Sequence, residues 1–326
     1  MKAILVKDDA ARTLHLADAP SPELDPDSVL IKIHATAVNR ADLLQRRGLY
    51  PPPPGESEIL GLEAAGVIVE KGENVINWPI GARVCCLLGG GGYAEYVAVH
   101  QDMLLPIPGH LNFEQAAAIP EVFYTAFVNL FLEGNLSADE SLLIHAGASG
   151  VGTAAIQLAR QGGAQVFITA GSDEKIRRCL SLGANFGINY KAENFAERIL
   201  QLTEQKGVDV ILDCVGGKYL QQNLALLKLN GRLVIIGLLG GAKAEIDLAR
   251  VLRKRLRLYG SVLRSRSLAE KIAITQAFKE RVLPLFTQQK IQPVIDSVYP
   301  LAEAGQAHEH VAANKNFGKV VLKVLE

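Results

Sequence analysis

The sequence has no excess of charge of either sign, with 34 Lys and Arg residues against 34 Asp and Glu residues among 326. A nucleic-acid-binding protein needs a basic surface that neutralises phosphates, so this balance argues against nucleic acid as a partner. The sequence also lacks an uninterrupted apolar run of about 18 residues, and we therefore predict no membrane span. Its first residues lack the apolar core and cleavage site of a secretory signal. We expect a cytoplasmic protein.

Cysteine is scarce, with four residues in the whole sequence. Cys85 and Cys86 are adjacent, which suits neither an ordinary disulfide nor a CxxC metal knuckle. Cys179 and Cys214 stand singly in apolar stretches. The scarcity excludes a disulfide scaffold, and we expect reduced, buried thiols.

The pattern of the sequence changes near residue 120. Before it, alternation at 29–34 and 65–70 predicts half-buried strands. After it, short apolar runs such as 141–146 and 165–170 alternate with helix-length amphipathic segments such as 151–161. This alternation predicts an α/β fold with a parallel sheet and helices on both faces. The length suits about two domains of roughly 150 residues each.

The apolar run at 141–146 leads into a glycine-rich turn and then a helix, which is the context that a dinucleotide-binding fingerprint requires. A first glycine permits the tight turn, a serine takes the place of the second, and a last glycine lets the helix pack closely. The helix N-terminus then offers N–H groups to a pyrophosphate. The alternative is a purely structural turn. The predicted cofactor-binding residues here are Gly147, Ser149, Gly150, Val151 and Gly152.

The end of the next strand indicates which cofactor binds. An NAD enzyme places an acidic residue there for the ribose 2′-hydroxyl, but this sequence has Gly171, 24 residues after Gly147. Ser172 and Lys175 can contact a 2′-phosphate, so we predict NADPH. Tyr190 ends the following strand beside the expected adenosine pocket, although it also suits a partly exposed strand-end position.

Eight segments together resemble one known family. The chain resembles the medium-chain dehydrogenase/reductase superfamily, and within it the zeta-crystallin-type NADPH:quinone oxidoreductases, in the branch that contains the human tumour-suppressor-induced quinone oxidoreductase. The segments are AVNRADL (37–43), Gly48-Leu49-Tyr50, ILGLEAAG (59–66), AAAIP (116–120), HAGASGVGT (145–153), ILDCVGG (211–217), LRSR (263–266) and ANKNFGK (313–319).

The resemblance implies two domains and a dimer. A GroES-like, β-rich catalytic domain is expected at 1–121 and 265–326, and a Rossmann domain with a doubly wound parallel sheet at 122–264. The expected homodimer forms through the Rossmann edge strands. The resemblance also extends the predicted cofactor site to Val215, Gly237, Leu238, Leu263, Arg264, Asn316 and Lys319.

The sequence departs from the alcohol dehydrogenase branch at its zinc ligands. That branch has a ligand Cys where this chain has Arg40-Ala41-Asp42, and a ligand His where this chain has Leu62. Glu63 is a carboxylate that we interpret as structural. His308 and His310 lie two apart on a predicted helix, so they face different ways, and we interpret them as surface residues. We therefore predict no metal site.

The resemblance implies zinc-independent hydride transfer from the nicotinamide to a quinone in the interdomain cleft. It places Tyr50 and Asn39 there as catalytic residues, with Tyr50 bonding or stacking on the quinone and Asn39 holding a carbonyl or the nicotinamide. Tyr50 also suits simple packing on the proline run at 51–54. Two alternatives stay open: a reductase of conjugated carbonyls such as alkenals or enoyl thioesters, and a non-catalytic NADPH-binding protein.

Overall fold

The computed structural model describes residues 1–324, which form two compact units. One unit combines Met1–Tyr124 with the chain from Leu263 onward, and the other is Thr125–Val262. The strands are β1 (Lys2–Val6), β2 (Leu14–Asp18), β3 (Ser28–Val38), β4 (Glu63–Lys71), β5 (Arg83–Leu87), β6 (Tyr96–His100), β7 (Leu104–Pro106), β8 (Ser141–Ile144), β9 (Gln165–Ala170), β10 (Phe186–Asn189), β11 (Val208–Asp213), β12 (Leu227–Ile235), β13 (Arg257–Gly260), β14 (Ile295–Pro300) and β15 (Lys319–Lys323).

The α-helices are α1 (Arg40–Arg46), α2 (Phe113–Ala117), α3 (Pro120–Phe127), α4 (Gly150–Gln161), α5 (Asp173–Leu182), α6 (Phe195–Leu202), α7 (Leu220–Leu226), α8 (Leu248–Lys254), α9 (Leu268–Arg281), α10 (Leu283–Thr287) and α11 (Ala304–Ala312). Short 3-10 helices cover Gln101–Met103, Gly217–Tyr219 and Leu301–Glu303, and a π-helix covers Val128–Glu133. Within residues 1–324, no helix combines the length and the apolar character needed to cross a bilayer.

The first unit is built on a seven-stranded sheet in the order β14-β15-β3-β4-β5-β7, with β6 paired to β3 and a separate β1-β2 hairpin. The long strand β3 organises it, because Val29, Ile31 and Ile33 alternate toward one face and are fully buried. Apolar side chains of α11 and of β15 complete a core around Tyr93. This is the expected GroES-like sheet domain.

The second unit is a six-stranded sheet in the order β10-β9-β8-β11-β12-β13, and every neighbouring pair is parallel. The chain starts at β8 in the middle, runs outward to β10, and then returns to fill the other side from β11 to β13. A doubly wound sheet binds ligands where this order reverses, at the carboxyl ends of its first and fourth strands. The predicted α/β fold with a Rossmann-type sheet is confirmed.

The four cysteines are free thiols, three of them buried and Cys214 half-buried. The prediction about the histidines of α11 is wrong for His308, which is 1% exposed. Ala304, Ala307 and Val311 are buried on the same face of the helix, because these residues recur at spacings of three and four. His308 lies within that stripe and therefore faces the core.

Candidate active site

The glycine-rich turn after β8 has glycine where side chains do not fit. A Cβ atom on Gly147 would lie 2.7 Å from the Cβ of Ile168, and one on Gly152 would lie 2.5 Å from the carbonyl oxygen of Ala146. Ser149 is the N-cap of α4, since its hydroxyl accepts the Gly152 N–H at 3.0 Å. The turn thus brings bare backbone and a helix N-terminus together, and this arrangement fits a pyrophosphate.

A buried polar chain that the sequence analysis missed lies behind this turn. The Thr169 hydroxyl lies 3.1 Å from Nδ1 of His145, whose Nε2 lies 2.8 Å from Oδ1 of Asn223. The Asn223 amide donates in turn to Asp213 at 3.1 Å, so its oxygen accepts from Nε2–H of His145. Burial lowers the pKa of His145 and keeps the ring neutral. Because the Thr169 carbonyl accepts the Gly147 N–H at 3.0 Å, this chain anchors the turn to the sheet.

The end of β9 holds the residues predicted to select NADPH. A Cβ on Gly171 would come 2.8 Å from the hydroxyl of Tyr190, so these two residues are adjacent. Ser172 caps α5 by accepting the Lys175 N–H at 3.3 Å, which leaves its hydroxyl proton available to donate. The nearby Asp173 carboxylate accepts a hydrogen bond from the Asn189 amide. Tyr190 is 43% exposed, and its place beside an adenosine stays a prediction.

Three further predicted cofactor residues follow β11 and β12, whose carboxyl ends lie at the same edge as the glycine-rich turn. The Val215 N–H donates to the Asp213 carboxylate at 2.7 Å, which shapes the turn after β11. A Cβ on Gly237 would lie 3.1 Å from the Cys214 carbonyl oxygen, and Leu238 is exposed. The remaining four predicted residues belong to the first unit: Leu263, Arg264, Asn316 and Lys319.

Arg264 holds the segment that carries Tyr50. Its buried guanidinium donates to the Gly89 carbonyl at 2.7 Å, to the Tyr50 carbonyl at 3.2 Å and to the Gln45 side chain at 2.8 Å. It also lies 5.3 Å from the centroid of the Tyr50 ring, in a cation–π contact. Burial raises the pKa of Tyr50, so the hydroxyl keeps its proton at neutral pH. A fixed aromatic hydroxyl can donate a hydrogen bond to a substrate oxygen.

The side chain of Asn39 lies in a buried ionic cluster. Lys319 forms an ion pair of 2.7 Å with Glu63, and the two side chains are 3% and 0% exposed. The ammonium also donates to the Asn39 amide oxygen at 2.6 Å and to the Val38 carbonyl at 3.1 Å. The Asn39 amide nitrogen donates to Glu63 at 2.8 Å. Three acceptors match the three ammonium protons of Lys319. The cofactor role of Lys319 and the catalytic role of Asn39 stay predictions.

The last two first-unit residues of the predicted cofactor site are Leu263, which precedes α9, and Asn316, which precedes β15. Leu263 is 8% exposed. The Asn316 amide donates to the Gly318 carbonyl at 2.7 Å, in the turn that leads into β15. The predicted contacts of Leu263 and Asn316 with the cofactor stay predictions.

Glu121 is a further candidate that the sequence analysis did not select. It lies at the start of α3, where its backbone N–H donates to Glu63 at 2.9 Å. Burial and the negative charge of Glu63 raise the pKa of Glu121 to about 8. Its charge also acts on Tyr50, whose pKa it raises. One signal was available, because Glu121 is the single charged residue between positions 116 and 131.

Comparison with known proteins agrees with both units. The family description "Alcohol dehydrogenase GroES-like domain" matches residues 25–109, and "Zinc-binding dehydrogenase" matches residues 150–288. The rat quinone oxidoreductase is 34% identical over 308 residues, which cover 94% of this chain and 92% of that protein. The chain belongs to the medium-chain dehydrogenase/reductase superfamily. One of the two matching domain descriptions names zinc, so whether this chain could bind zinc has to be judged from its own side chains.

Solved structures of this superfamily are similar over nearly the whole chain. An NAD-dependent alcohol dehydrogenase has a TM-score of 0.89 at 31% identity and covers 100% of both chains. The Escherichia coli quinone oxidoreductase, complexed with NADPH, has a TM-score of 0.88 at 28% identity and covers 99% of both. The CurK enoyl reductase has a TM-score of 0.87 at 28% identity and covers 99% of this chain and 98% of its own.

The side chains of this superfamily member do not fit a catalytic zinc. Such a zinc takes Cys, His and carboxylate ligands around one open position. The resemblance places Arg40 and Leu62 at the positions where the dehydrogenase branch has zinc ligands, and the Glu63 carboxylate is bound to Lys319. Among residues 1–324, no three His, Cys, Asp or Glu side chains are grouped so that they could hold a metal ion.

Proposed function

We propose that this oxidoreductase is a zinc-independent, NADPH-dependent reductase of quinones. The proposal rests on the group formed by Tyr50, Glu121 and Arg264 in the first unit, which offers hydrogen-bond donors and a proton instead of zinc ligands. The second unit adds a glycine-rich turn at the edge of its parallel sheet that suits a dinucleotide. The 34% identity to the rat quinone oxidoreductase supports quinone as the acceptor class.

The dinucleotide-binding edge favours NADPH over NADH. Ser172 and Lys175 offer a hydroxyl donor and an ammonium group beside Gly171, where a carboxylate would repel a 2′-phosphate. The turn at 147–152 binds the pyrophosphate through backbone N–H groups. The buried side-chain hydrogen bonds that link Thr169 to Asp213 through His145 and Asn223 hold that turn in place. When bound, the nicotinamide supplies the hydride for the reaction.

The first unit supplies the acceptor with hydrogen-bond donors and a proton. The Tyr50 hydroxyl donates to the quinone oxygen on which negative charge develops, and Arg264 fixes the loop so that little ordering is needed on binding. Glu121 carries a proton below about pH 8 and gives it to that oxygen. The quinone takes up one hydride from the nicotinamide and this one proton, and together they give the hydroquinone with no further net proton consumed. Asn39 positions Glu121 indirectly, because its amide donates to the Glu63 carboxylate that also accepts the Glu121 N–H.

A second candidate is the reduction of activated alkenes, and the similarity to the CurK enoyl reductase favours it. That reaction protonates a carbon after hydride addition, so it also needs a placed donor such as Glu121 or Tyr50. A homodimer through the edge strands of the parallel sheet and a cytoplasmic location remain parts of the proposal that rest on the sequence.

A panel of acceptors tests the proposal. We expect NADPH oxidation with ortho-quinones to exceed that with 2-alkenals at matched concentrations, with hydroquinone as the product. Faster turnover with the alkenals would establish the second candidate instead. Absence of turnover with either class, in a protein that still binds NADPH, would leave only a binding function.

A further inference from the structure

The first unit contains a buried positive charge besides those of Arg264 and Lys319. Lys271 lies near the start of α9, and its side chain is 7% exposed. Its ammonium bonds to a carboxylate oxygen of Glu56 at 3.1 Å, and the Glu56 side chain is 35% exposed. A buried ammonium needs such a partner, because leaving it unpaired away from water costs free energy. The pair joins α9 to the chain just after the proline run, although the two residues are 215 positions apart.

The loop from Tyr50 to Ser57, here called the 50–57 loop, follows α1 and leads toward β4. Positions 51–54 are prolines, which have no N–H to donate. A turn follows them, in which the Glu56 N–H donates to the Pro53 carbonyl at 3.1 Å. Because backbone donors are missing at four of its eight positions, side chains from other segments have to hold this loop in place.

Both ends of the 50–57 loop lie against Gly89. At the first end, Arg264 donates to the carbonyl oxygens of Tyr50 and Gly89 together. At the other end, a Cβ on Gly89 would collide with the carboxyl carbon of Glu56, so the missing side chain leaves room for that carboxylate. Arg264 therefore holds the end that carries Tyr50, and Lys271 holds the end that carries Glu56.

We propose that Lys271 is a positioning residue for the reduction, which keeps Tyr50 in place by holding Glu56 at the far end of the 50–57 loop. The inference rests on the proposed function, because it takes the Tyr50 hydroxyl as the donor to the acceptor oxygen. With both ends held, the hydroxyl is ordered before the acceptor binds. Without Lys271, the far end is released and Tyr50 spends part of the time away from the acceptor.

Hydrogen exchange followed by mass spectrometry tests the hold on the loop without any turnover. Lys271→Met keeps a side chain of similar length and leaves Glu56, which is half-buried, to bind water, so the variant should fold. We expect a peptide covering 50–58 to exchange about tenfold faster in this variant, as for the loss of one hydrogen bond between charged groups. The prolines contribute no amide hydrogens, so the signal reports on the turn closed by the Glu56 N–H.

A second lysine of α9 provides the matched control. Lys279 is half-buried on the same helix, and its ammonium lies 5.7 Å from the centroid of the Trp78 ring, away from the 50–57 loop. Lys279→Met should leave exchange in the 50–58 peptide unchanged. A peptide from β3 should exchange at the parental rate in both variants, which separates release of the loop from a loss of global stability.

Kinetics test whether Lys271 acts through Tyr50. Lys271→Met should lower kcat/KM for an ortho-quinone about tenfold and leave the NADPH Kd unchanged. In a Tyr50→Phe chain the same change should cost less than about twofold, because the hydroxyl that Lys271 positions is already gone.

Unchanged exchange in the 50–58 peptide, or an equal tenfold loss in both backgrounds, would overturn the inference. A parent protein without quinone turnover would instead refute the proposed function. The exchange result alone would then decide whether Lys271 holds the 50–57 loop.

Discussion

Replacement of Lys319 by methionine tests whether the buried ionic cluster stabilises the first unit. Lys319 is 3% exposed, and its ammonium makes three hydrogen bonds, to Glu63, Asn39 and the Val38 carbonyl. Methionine has a similar length but no charge and no donor. The variant therefore leaves the Glu63 carboxylate buried without its cation, held by the Asn39 amide and the Glu121 N–H alone.

The expected cost of Lys319→Met is about 3–5 kcal/mol in the free energy of unfolding, as for other buried ion pairs that lose one partner. Most of this cost is the uncompensated charge of Glu63. Adding Glu63→Gln to the same chain removes that charge. The double variant should therefore lose about 2 kcal/mol less in the free energy of unfolding than the summed losses of the two single variants.

Urea unfolding followed by tryptophan fluorescence measures this cost. Trp78 is the single tryptophan of the chain, and it lies in the first unit, with its indole N–H bonded to the Gln101 carbonyl at 3.1 Å. The unfolding midpoint therefore reports on the unit that contains Lys319. Lys323→Met is the matched control, since Lys323 is exposed on the same strand and should change stability by less than about 0.5 kcal/mol.

The result also decides between two roles of Lys319. An unchanged unfolding midpoint together with weaker NADPH binding would refute the structural reasoning and assign Lys319 to the cofactor. A large loss of stability with NADPH affinity unchanged in the folded variant would establish the structural role.

Three further predictions concern the active site. Tyr50→Phe should cost about 1–3 kcal/mol in kcat/KM for quinones and leave the NADPH Kd unchanged, and equal kinetics would mean that the hydroxyl does not touch the acceptor. Because burial and the charge of Glu63 raise the pKa of Glu121 to about 8, kcat/KM should fall as pH rises through about 8. Glu121→Gln should flatten that limb of the profile and lower kcat/KM about 100-fold, and a profile that keeps its shape would exclude Glu121 as the donor. Lys175→Met should weaken NADPH by about 1.5–3 kcal/mol and leave NADH unchanged, and equal losses for the two cofactors would contradict the assignment of Lys175 to the 2′-phosphate.

Local features of the fold could be predicted from the sequence. The turn after β8 depends on residues within six positions of one another, and both Gly147 and Gly152 occupy places where a Cβ would collide with neighbouring atoms. The parallel sheet followed from the alternation of short apolar runs with amphipathic segments, because each period is set by local geometry.

Long-range pairings could not be predicted in the same way. Lys319 and Glu63 are 256 residues apart, and no local pattern marks them as partners. His145 and Asn223 are 78 apart, and the chain they form behind the glycine-rich turn appears only when β8 and α7 are brought together. His308 was predictable in principle, since its spacing from Ala304, Ala307 and Val311 marks the buried face of α11.

Quinone reduction by metal-free protein tests most directly whether hydride passes from NADPH to a quinone without zinc. The protein is dialysed against a chelator, its metal content is determined, and NADPH or NADH oxidation with an ortho-quinone is compared before and after treatment. Because Arg40 and Leu62 provide no zinc ligand, we predict unchanged turnover without stoichiometric metal, with NADPH strongly preferred over NADH. Bound zinc at one per chain with turnover that the chelator abolishes, or equal rates with the two cofactors, would contradict the account.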